Sequence, residues 1–238
     1  MSTPPLALSA TARPRHPASV ARGPARAAAD RQHERVLRRY RQRAGTYDRA
    51  YARYTAWSVR HVLASLPEAP AGRILDLACG TGGVTRALRR RHPGAGIVGA
   101  DLSPDMLAVA RAGLDDPGVE FVAAPAERLP FRAEEFDLVV CANAFHLVGD
   151  QRAALLEMQR VLRPGGHLVL LDWTRESLPM RLLWLWLAAT QRTRRRLLCT
   201  RSLPRLAREA GLRVDAVRRV RIPPAWGLMT LRAVRAAT

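Results

Sequence analysis

The stretch RILDLACGTGGVTRALRR, residues 73–90, constrains the fold of this chain more than any other part of its sequence. An apolar run ends in a cluster of small residues, and a helical pattern begins directly after that cluster. Glycines in such a turn let a ligand approach both the backbone and the N-terminus of the helix. We therefore predict a ligand-binding turn at Gly80, Gly82 and Gly83. A turn that merely requires small residues would have the same pattern, and so would a degenerate dinucleotide fingerprint that begins at Ala78.

Short apolar runs alternate with helical patterns beyond this turn. The runs occupy residues 73–78, 96–101, 119–124, 136–142 and 166–173, and the helical patterns occupy residues 82–92, 103–113 and 150–162. Such alternation is typical of α/β proteins with a doubly wound, mostly parallel sheet that is covered on both faces. The first four strands would end near Asp76, Asp101, Ala123 and Cys141, and their carboxyl ends would line one crevice, where such sheets bind ligands. Two final runs, residues 212–222 and 227–236, predict a strand pair that ends the sheet.

Composition divides the chain into three parts. Residues 1–29 contain five Pro and little periodicity, which predicts a disordered basic tail, although an acid-free basic leader also resembles a transit peptide. Residues 30–70 have a helical pattern with an apolar and aromatic side, and we expect a helical cap there. Residues 71–238 are expected to form one ligand-binding domain, in which the segment at about 178–198 has the pattern of an apolar and basic helix. A chain of 238 residues is long enough to bury one substantial core.

The net charge of +19 is unevenly distributed along the chain. Residues 71–171 carry eleven Arg against twelve acidic residues, whereas residues 172–238 carry fifteen Arg against four. All 39 basic residues are Arg, which excludes chemistry that needs a lysine Schiff base or a phosphate-loop lysine. A GC-rich genome explains the bias, but guanidinium groups still suit phosphates and anionic surfaces.

Cysteine use and hydropathy indicate a cytoplasmic protein without a metal site. Cys79, Cys141 and Cys199 are odd in number and widely spaced, so we expect neither a disulfide framework nor a zinc site. The longest apolar stretch, residues 182–189, is shorter than the roughly 18 to 20 residues that a membrane span requires.

Two acidic residues flank the glycine cluster. Asp76 lies four residues before Gly80, where a carboxylate would repel a dinucleotide phosphate but would suit a cationic amine. Asp101 ends the next apolar run, 19 residues after Gly82, where it can accept hydrogen bonds from two ribose hydroxyls. The pair therefore indicates a ligand that carries both a ribose and an amine.

Five segments, in this order along the chain, carry a family resemblance: ILDLACGTGG, GADLSPDML, PAERLPF, FDLVVCANAFHLV and RVLRPGGHLVLLD. They resemble the successive motifs of class I S-adenosylmethionine-dependent methyltransferases, of the branch that includes the menaquinone and ubiquinone C-methyltransferases. The resemblance spans about residues 45–173. It implies a Rossmann-like methyltransferase fold with an antiparallel last strand, an enzyme that transfers methyl groups, and S-adenosyl-L-methionine as the cofactor.

The resemblance also implies where the cofactor binds. Its amino-acid end would lie near Asp76, Ala78 and the backbone of Gly80, Thr81 and Gly82, its ribose on Asp101, and its adenine among Leu102, Met106 and Ala126, with backbone groups near Ala126 and Glu127. Two positions depart from the family pattern. Ala78 stands where relatives often have Gly, and Pro125 stands where relatives often have an Asp that accepts a hydrogen bond from the adenine amino group.

Three residues are candidates for a catalytic role. Asn143 and His146 follow the fourth apolar run, and His146 would act either as a general base or as a packing residue at the start of a helix. Tyr47, in GTYD, resembles a Tyr that closes over the cofactor in many relatives, although a core position explains it equally well. Few catalytic groups are obligatory, because methyl transfer from a sulfonium depends mainly on alignment and on exclusion of water.

The methyl acceptor is expected to be small and lipophilic, such as a quinone precursor, a phospholipid or a secondary metabolite. Residues 178–198 combine Trp184, Trp186 and several Leu with a dense group of four Arg at residues 192–196. This pattern suits a lipophilic substrate and peripheral contact with an anionic membrane. A lid helix packed on the core is the alternative explanation of this segment. The competing function is methylation of RNA or another nucleic acid, whose phosphates the basic flanks would bind. The acceptor atom and the oligomeric state stay open.

Pro125→Asp is predicted to tighten cofactor binding, because the introduced carboxylate would supply the missing acceptor for the adenine amino group. One added hydrogen bond corresponds to a gain of roughly fivefold in affinity. Isothermal titration calorimetry with S-adenosylmethionine measures the change, and unaltered or weaker binding would contradict the assignment of Pro125 to the adenine side.

Overall fold

The computed structural model of this chain describes residues 24–68, 71–174, 176, 180–182, 185, 197–222 and 226–237. Two of the predicted segments fall largely outside these residues. Residues 1–23 of the predicted tail and most of the predicted lid helix at about 178–198 are not described.

Within the described residues, seven strands form one sheet in the order β3-β2-β1-β4-β5-β7-β6. The strands are β1 (Arg73–Leu77), β2 (Gly96–Asp101), β3 (Val119–Ala123), β4 (Phe136–Ala142), β5 (Leu162–Trp173), β6 (Leu212–Ile222) and β7 (Trp226–Arg235). Strands β1 to β5 are parallel, whereas β7 runs antiparallel to both of its neighbours, β5 and β6. The predicted mostly parallel sheet with an antiparallel last strand is confirmed. The last strand lies between β5 and β6, so that β6 forms the edge of the sheet.

Helices cover both faces of this sheet. They are α1 (Pro24–Arg41), α2 (Ala44–Leu63), α3 (Gly83–Arg91), α4 (Pro104–Ala112), α5 (Gln151–Val161) and α6 (Ser202–Glu209), with a 3₁₀ helix at Phe145–Leu147. Side-chain caps define two of the starts. The Ser103 hydroxyl accepts a hydrogen bond from the Met106 amide at the start of α4, and the Asp150 carboxylate accepts from two amides at the start of α5.

The parallel strands are apolar on both faces, because each face packs against helices. In β1, Leu75 and Leu77 join a core cluster with Leu155 and Met158 of α5. Ile74 points to the other face and joins a cluster that includes residues of α2 and α3. Burial on both sides explains why these strands appear in the sequence as continuous apolar runs.

Helix α1 corrects the predicted boundary of the basic tail. The helix begins at Pro24 and so includes residues 24–29, which we expected to be disordered, and the Ala29 side chain is buried. Pro is favoured in the first turn of a helix and Ala has the highest helix propensity, which is why PARAAAD begins a helix. Among the described residues, none of the helices combines the length and the hydrophobicity of a membrane span.

Candidate functional site

A cleft opens at the carboxyl ends of β1, β2 and β4, where the alternating sequence pattern predicted a crevice. The cleft has a volume of about 1030 Å³, part of which is open to solvent. Its floor consists of the strand ends and the loops that follow them. Helices α1 and α2 form the opposite wall. This position agrees with the rule that open α/β sheets bind ligands beyond the carboxyl ends of their strands.

The glycine turn after β1 has a left-handed backbone at three positions. The φ angles are 58° at Ala78, 57° at Gly80 and 83° at Gly82. A side chain at Gly80 would meet no atom within 4 Å, and Gly80 lines the cleft, so its bare backbone faces a space that a ligand can enter. Gly82 does not line the cleft. A Cβ there would lie 3.3 Å from Ala110 of α4, so this glycine serves the packing of the turn.

Asp76 is buried at the floor of the cleft. Its carboxylate accepts a hydrogen bond of 2.6 Å from the Thr85 hydroxyl, and only 1% of the residue is exposed. Burial raises the pKa of Asp76 to about 7, the Thr85 hydrogen bond opposes this change, and the negative charge of Asp101 adds to it. A carboxylate with so little hydration gains strongly from a cationic partner.

Asp101 joins the end of β2 to the glycine turn. One carboxylate oxygen accepts a 2.8 Å hydrogen bond from the Gly80 amide, and the other accepts one of 2.8 Å from the Ser103 amide. Burial raises the pKa of Asp101, whereas these backbone hydrogen bonds lower it. A carboxylate offers about four lone-pair sites, so each oxygen can still accept a hydroxyl of a ligand.

Most of the other residues that the sequence assigned to the cofactor line the same cleft. Leu102, Met106 and Ala126 form an apolar side of it, together with Pro125. Thr81 also lines the cleft, but its hydroxyl donates a hydrogen bond to Asp48 of α2. That contact fixes α2 over the glycine turn.

Glu127 lines the cleft, but its carboxylate already has three partners. One oxygen accepts from the Gly149 amide at 3.0 Å and from the Asp150 amide at 3.2 Å, and the other lies 3.0 Å from His33 Nε2 of α1. The hydrogen bond that His33 donates to the Glu127 carboxylate raises the pKa of His33. Burial tends to raise the pKa of Glu127, but the hydrogen bonds from His33 and the backbone lower it overall.

Sequence reasoning missed the part of the cleft that the N-terminal helices form. His33, Val36, Tyr40 and Thr55 line it, although only Tyr47 had been singled out in this region. Asp48 directly follows Tyr47 in GTYD, so the sequence could have indicated it as a further candidate residue of the site. His33 and Glu127 are 94 residues apart, and no local pattern signals such a pair.

The candidates Tyr47 and Asn143 both line the cleft. Burial raises the pKa of Tyr47, whose ring centroid lies 4.8 Å from that of Tyr51. Asn143 has a left-handed backbone with φ 59°, which Asn tolerates better than most residues, and its side chain accepts a 2.6 Å hydrogen bond from the Tyr54 hydroxyl.

His146 does not line the cleft. It is 4% exposed, its Nδ1 lies 2.6 Å from the Asp172 carboxylate, and its ring stacks on Trp173 with centroids 4.6 Å apart. This environment suits a packing residue at the start of a helix better than a general base. His146 therefore lies outside the lining of the cleft.

Comparison with known proteins finds similar methyltransferases over about half of this chain. A family model described as a methyltransferase domain matches residues 75–170. The chain is 47% identical to the demethylmenaquinone methyltransferase of Thermus thermophilus over 119 residues, which cover 49% of this chain and 54% of that protein. It is 44% identical to a ubiquinone/menaquinone biosynthesis C-methyltransferase of Hahella chejuensis, with 45% of each chain covered. The chain thus spans about half the length of the curated relatives it matches.

Solved structures share the fold over most of this chain at lower sequence identity. A putative methyltransferase in complex with the Haloferax volcanii Trm112 methyltransferase activator superposes with a TM-score of 0.73 at 24% identity, over 83% of this chain and 97% of that one. A S-adenosylmethionine-dependent methyltransferase of Thermotoga maritima gives a TM-score of 0.69 at 22% identity, over 84% and 99% of the two chains.

The pair of His33 and Glu127 is predicted to make the docking of α1 depend on pH. His33 has a raised pKa, so its contribution is complete below about pH 6.5 and is lost as the pH rises through its folded-state pKa. Glu127 has a lowered pKa, so its contribution is lost only in acid. Hydrogen exchange of α1 amides, corrected for the intrinsic effect of pH, should therefore show less protection at pH 9 than at pH 6. His33→Gln should abolish this difference, and an unaltered difference in that variant would assign it to another group.

Proposed function

We propose that this chain transfers a methyl group from S-adenosylmethionine to a small lipophilic acceptor of the quinone type. The match of residues 75–170 to a methyltransferase domain and the similarity to quinone-biosynthesis methyltransferases support this proposal. The observation that carries this proposal is the arrangement of Asp76 and Asp101. The buried carboxylate of Asp76 and the half-buried carboxylate of Asp101 line one cleft at neighbouring strand ends, with the bare backbone of Gly80 between them.

The residues of the cleft fit the chemical groups of this cofactor. Asp76 suits its ammonium group, and the free lone pairs of Asp101 suit the two ribose hydroxyls. The space in front of Gly80 is open, so the amino-acid end can contact the backbone of the turn. The apolar side made by Leu102, Met106 and Ala126 suits the adenine ring.

The charge of the cleft argues against a dinucleotide. The described residues that line it include Asp76, Asp101 and Glu127 but no arginine, and the chain contains no lysine. Such a surface repels phosphate groups and attracts a cation. A ligand with a sulfonium and an ammonium therefore fits, whereas a pyrophosphate does not.

When bound, S-adenosylmethionine supplies a methyl group activated by a positively charged sulfur. The residues of this chain align the reactants and exclude water, which are the main requirements of such a displacement. Helices α1 and α2 cover the cleft, and the contacts of Asp48 with Thr81 and of His33 with Glu127 fix them to its floor. Tyr47 adds an aromatic side chain on the inner side of this cover.

A lipophilic acceptor is supported by the apolar lining near the α1 side of the cleft. Val36, Tyr40, Leu147 and Val148 line this region. The two relatives described above are named for methylation of demethylmenaquinone and for ubiquinone and menaquinone biosynthesis, which agrees with an acceptor of this class. Methylation of nucleic acid is less well supported, because the described cleft residues include no arginine for a phosphate backbone.

The test of the function is transfer of a labelled methyl group. The purified protein is incubated with methyl-labelled S-adenosylmethionine and separated lipid, quinone and RNA fractions, and we expect label in the quinone fraction under reducing conditions. Asp76→Asn should lower transfer at least tenfold, because it removes the charge that pairs with the ammonium group. Asp105→Asn, the same change at a partly exposed residue of α4, should have little effect. Label in RNA alone, or no transfer, would contradict the proposal.

Contact with an anionic membrane would bring the protein close to such an acceptor. Leu182 and Leu185 are 58% and 56% exposed, and they lie in the segment 178–198 that is rich in Arg. We expect the protein to sediment with vesicles that contain phosphatidylglycerol, and replacement of both leucines by Ser to weaken this binding. Leu156→Ser, at an exposed leucine of α5, is the matched control. A protein that stays in the supernatant would exclude the membrane contact.

A further inference from the structure

A chain of three hydrogen-bonded side chains ends at the cleft. Trp173 Nε1 donates to the Tyr54 hydroxyl at 2.7 Å, and that hydroxyl donates to Asn143 Oδ1 at 2.6 Å. An indole N–H can only donate, and a phenol has one proton to give. The hydrogen bonds therefore run from Trp173 through Tyr54 to Asn143, and Oδ1 of Asn143 is occupied as an acceptor.

The start of this chain is rigidly supported beneath the cleft. The His146 ring stacks on Trp173, and one Asp172 oxygen accepts hydrogen bonds from His146 Nδ1 at 2.6 Å and from the Trp173 amide at 2.7 Å. His146 is 4% exposed and Asp172 is 2% exposed. Burial also raises the pKa of Tyr54, so its hydroxyl keeps its proton at ordinary pH.

The end of the chain leaves a hydrogen-bond donor in the cleft. Asn143 lines the cleft, and its amide nitrogen Nδ2 has no hydrogen-bond partner in the described part of the protein. Its backbone is held by the Leu171 carbonyl, which accepts from the Asn143 amide at 2.8 Å. The backbone amide and the side-chain oxygen of Asn143 are thus both fixed. The two N–H groups of Nδ2 can therefore donate hydrogen bonds to a ligand.

We propose that Asn143 Nδ2 donates a hydrogen bond to an oxygen atom of the methyl acceptor, and that Tyr54 and Trp173 are positioning residues that hold the amide in this orientation. This inference rests on the proposed function, because it assigns a feature to the acceptor. The acceptor must then carry a hydrogen-bond-accepting oxygen, as in a carbonyl or an oxyanion. A purely hydrocarbon acceptor would displace water from the Nδ2 donor without replacing the lost hydrogen bond, which is costly.

The test compares two probes that share a carbon skeleton. 1-Tetralone carries one carbonyl oxygen and tetralin carries none, and their binding to the full chain saturated with S-adenosylhomocysteine is measured by ligand-observed NMR. Asn143→Asp keeps an acceptor for Tyr54 and tolerates the left-handed backbone, but at pH 8 it presents a carboxylate in place of the donor. Tyr54→Phe removes the positioning hydroxyl. Tyr51→Phe, on the same helix but outside the lining of the cleft, is the matched control.

We expect the wild type to prefer 1-tetralone, and Asn143→Asp to reduce this preference about tenfold, the usual effect of one buried hydrogen bond. Tyr54→Phe should reduce it less, and should have no further effect when Asn143→Asp is already present, because Tyr54 acts through Asn143. Tyr51→Phe should leave the preference unchanged. Thermal unfolding of each variant shows that it is folded.

Three results would overturn the inference: no preference in the wild type, an unchanged preference in Asn143→Asp, or independent losses from Tyr54→Phe and Asn143→Asp that multiply in the double variant. A wild type that fails to bind S-adenosylhomocysteine contradicts the proposed function instead. The two failures are therefore distinguishable within one set of measurements.

Discussion

The hydrogen bond from the Gly80 amide to the Asp101 carboxylate is the contact on which the geometry of the cleft depends. It joins the turn after β1 to the end of β2, and both of its residues are half-buried. An unpaired amide or carboxylate there would be costly, so the turn has little freedom to move away from the strand end. Asp76, which precedes the turn on β1, is consequently held on the same floor as Asp101. The open space in front of Gly80 exists because the backbone below it is fixed.

The cover of the cleft depends on contacts that are distant in sequence. Helix α2 is tied to the glycine turn through Asp48 and Thr81, and α1 is tied to the loop after β3 through His33 and Glu127. A cover attached by a few polar contacts can open more easily than the sheet can unfold, which is what a binding site that must admit and release ligands requires.

The sheet could be predicted from the sequence, because burial on both faces makes each parallel strand a continuous apolar run and the helices between them are periodic. The same logic placed Asp76 and Asp101 correctly at neighbouring strand ends. It failed where long-range packing decides. Nothing local distinguishes Gly82, which packs against α4, from Gly80, which faces the cleft. The use of Glu127 by His33 and the burial of His146 under Trp173 likewise depend on residues far away in the chain.

The pKa of about 7 at Asp76 couples ligand binding to proton exchange with the solvent. Near neutrality the Asp76 carboxyl group is protonated in a substantial fraction of the molecules, which relieves its repulsion by Asp101. A cation that pairs with Asp76 selects its ionised form and so displaces a proton into the buffer. The heat of binding measured at neutral pH should then vary with the ionisation enthalpy of the buffer, and the number of protons released should decline towards zero in alkaline solution.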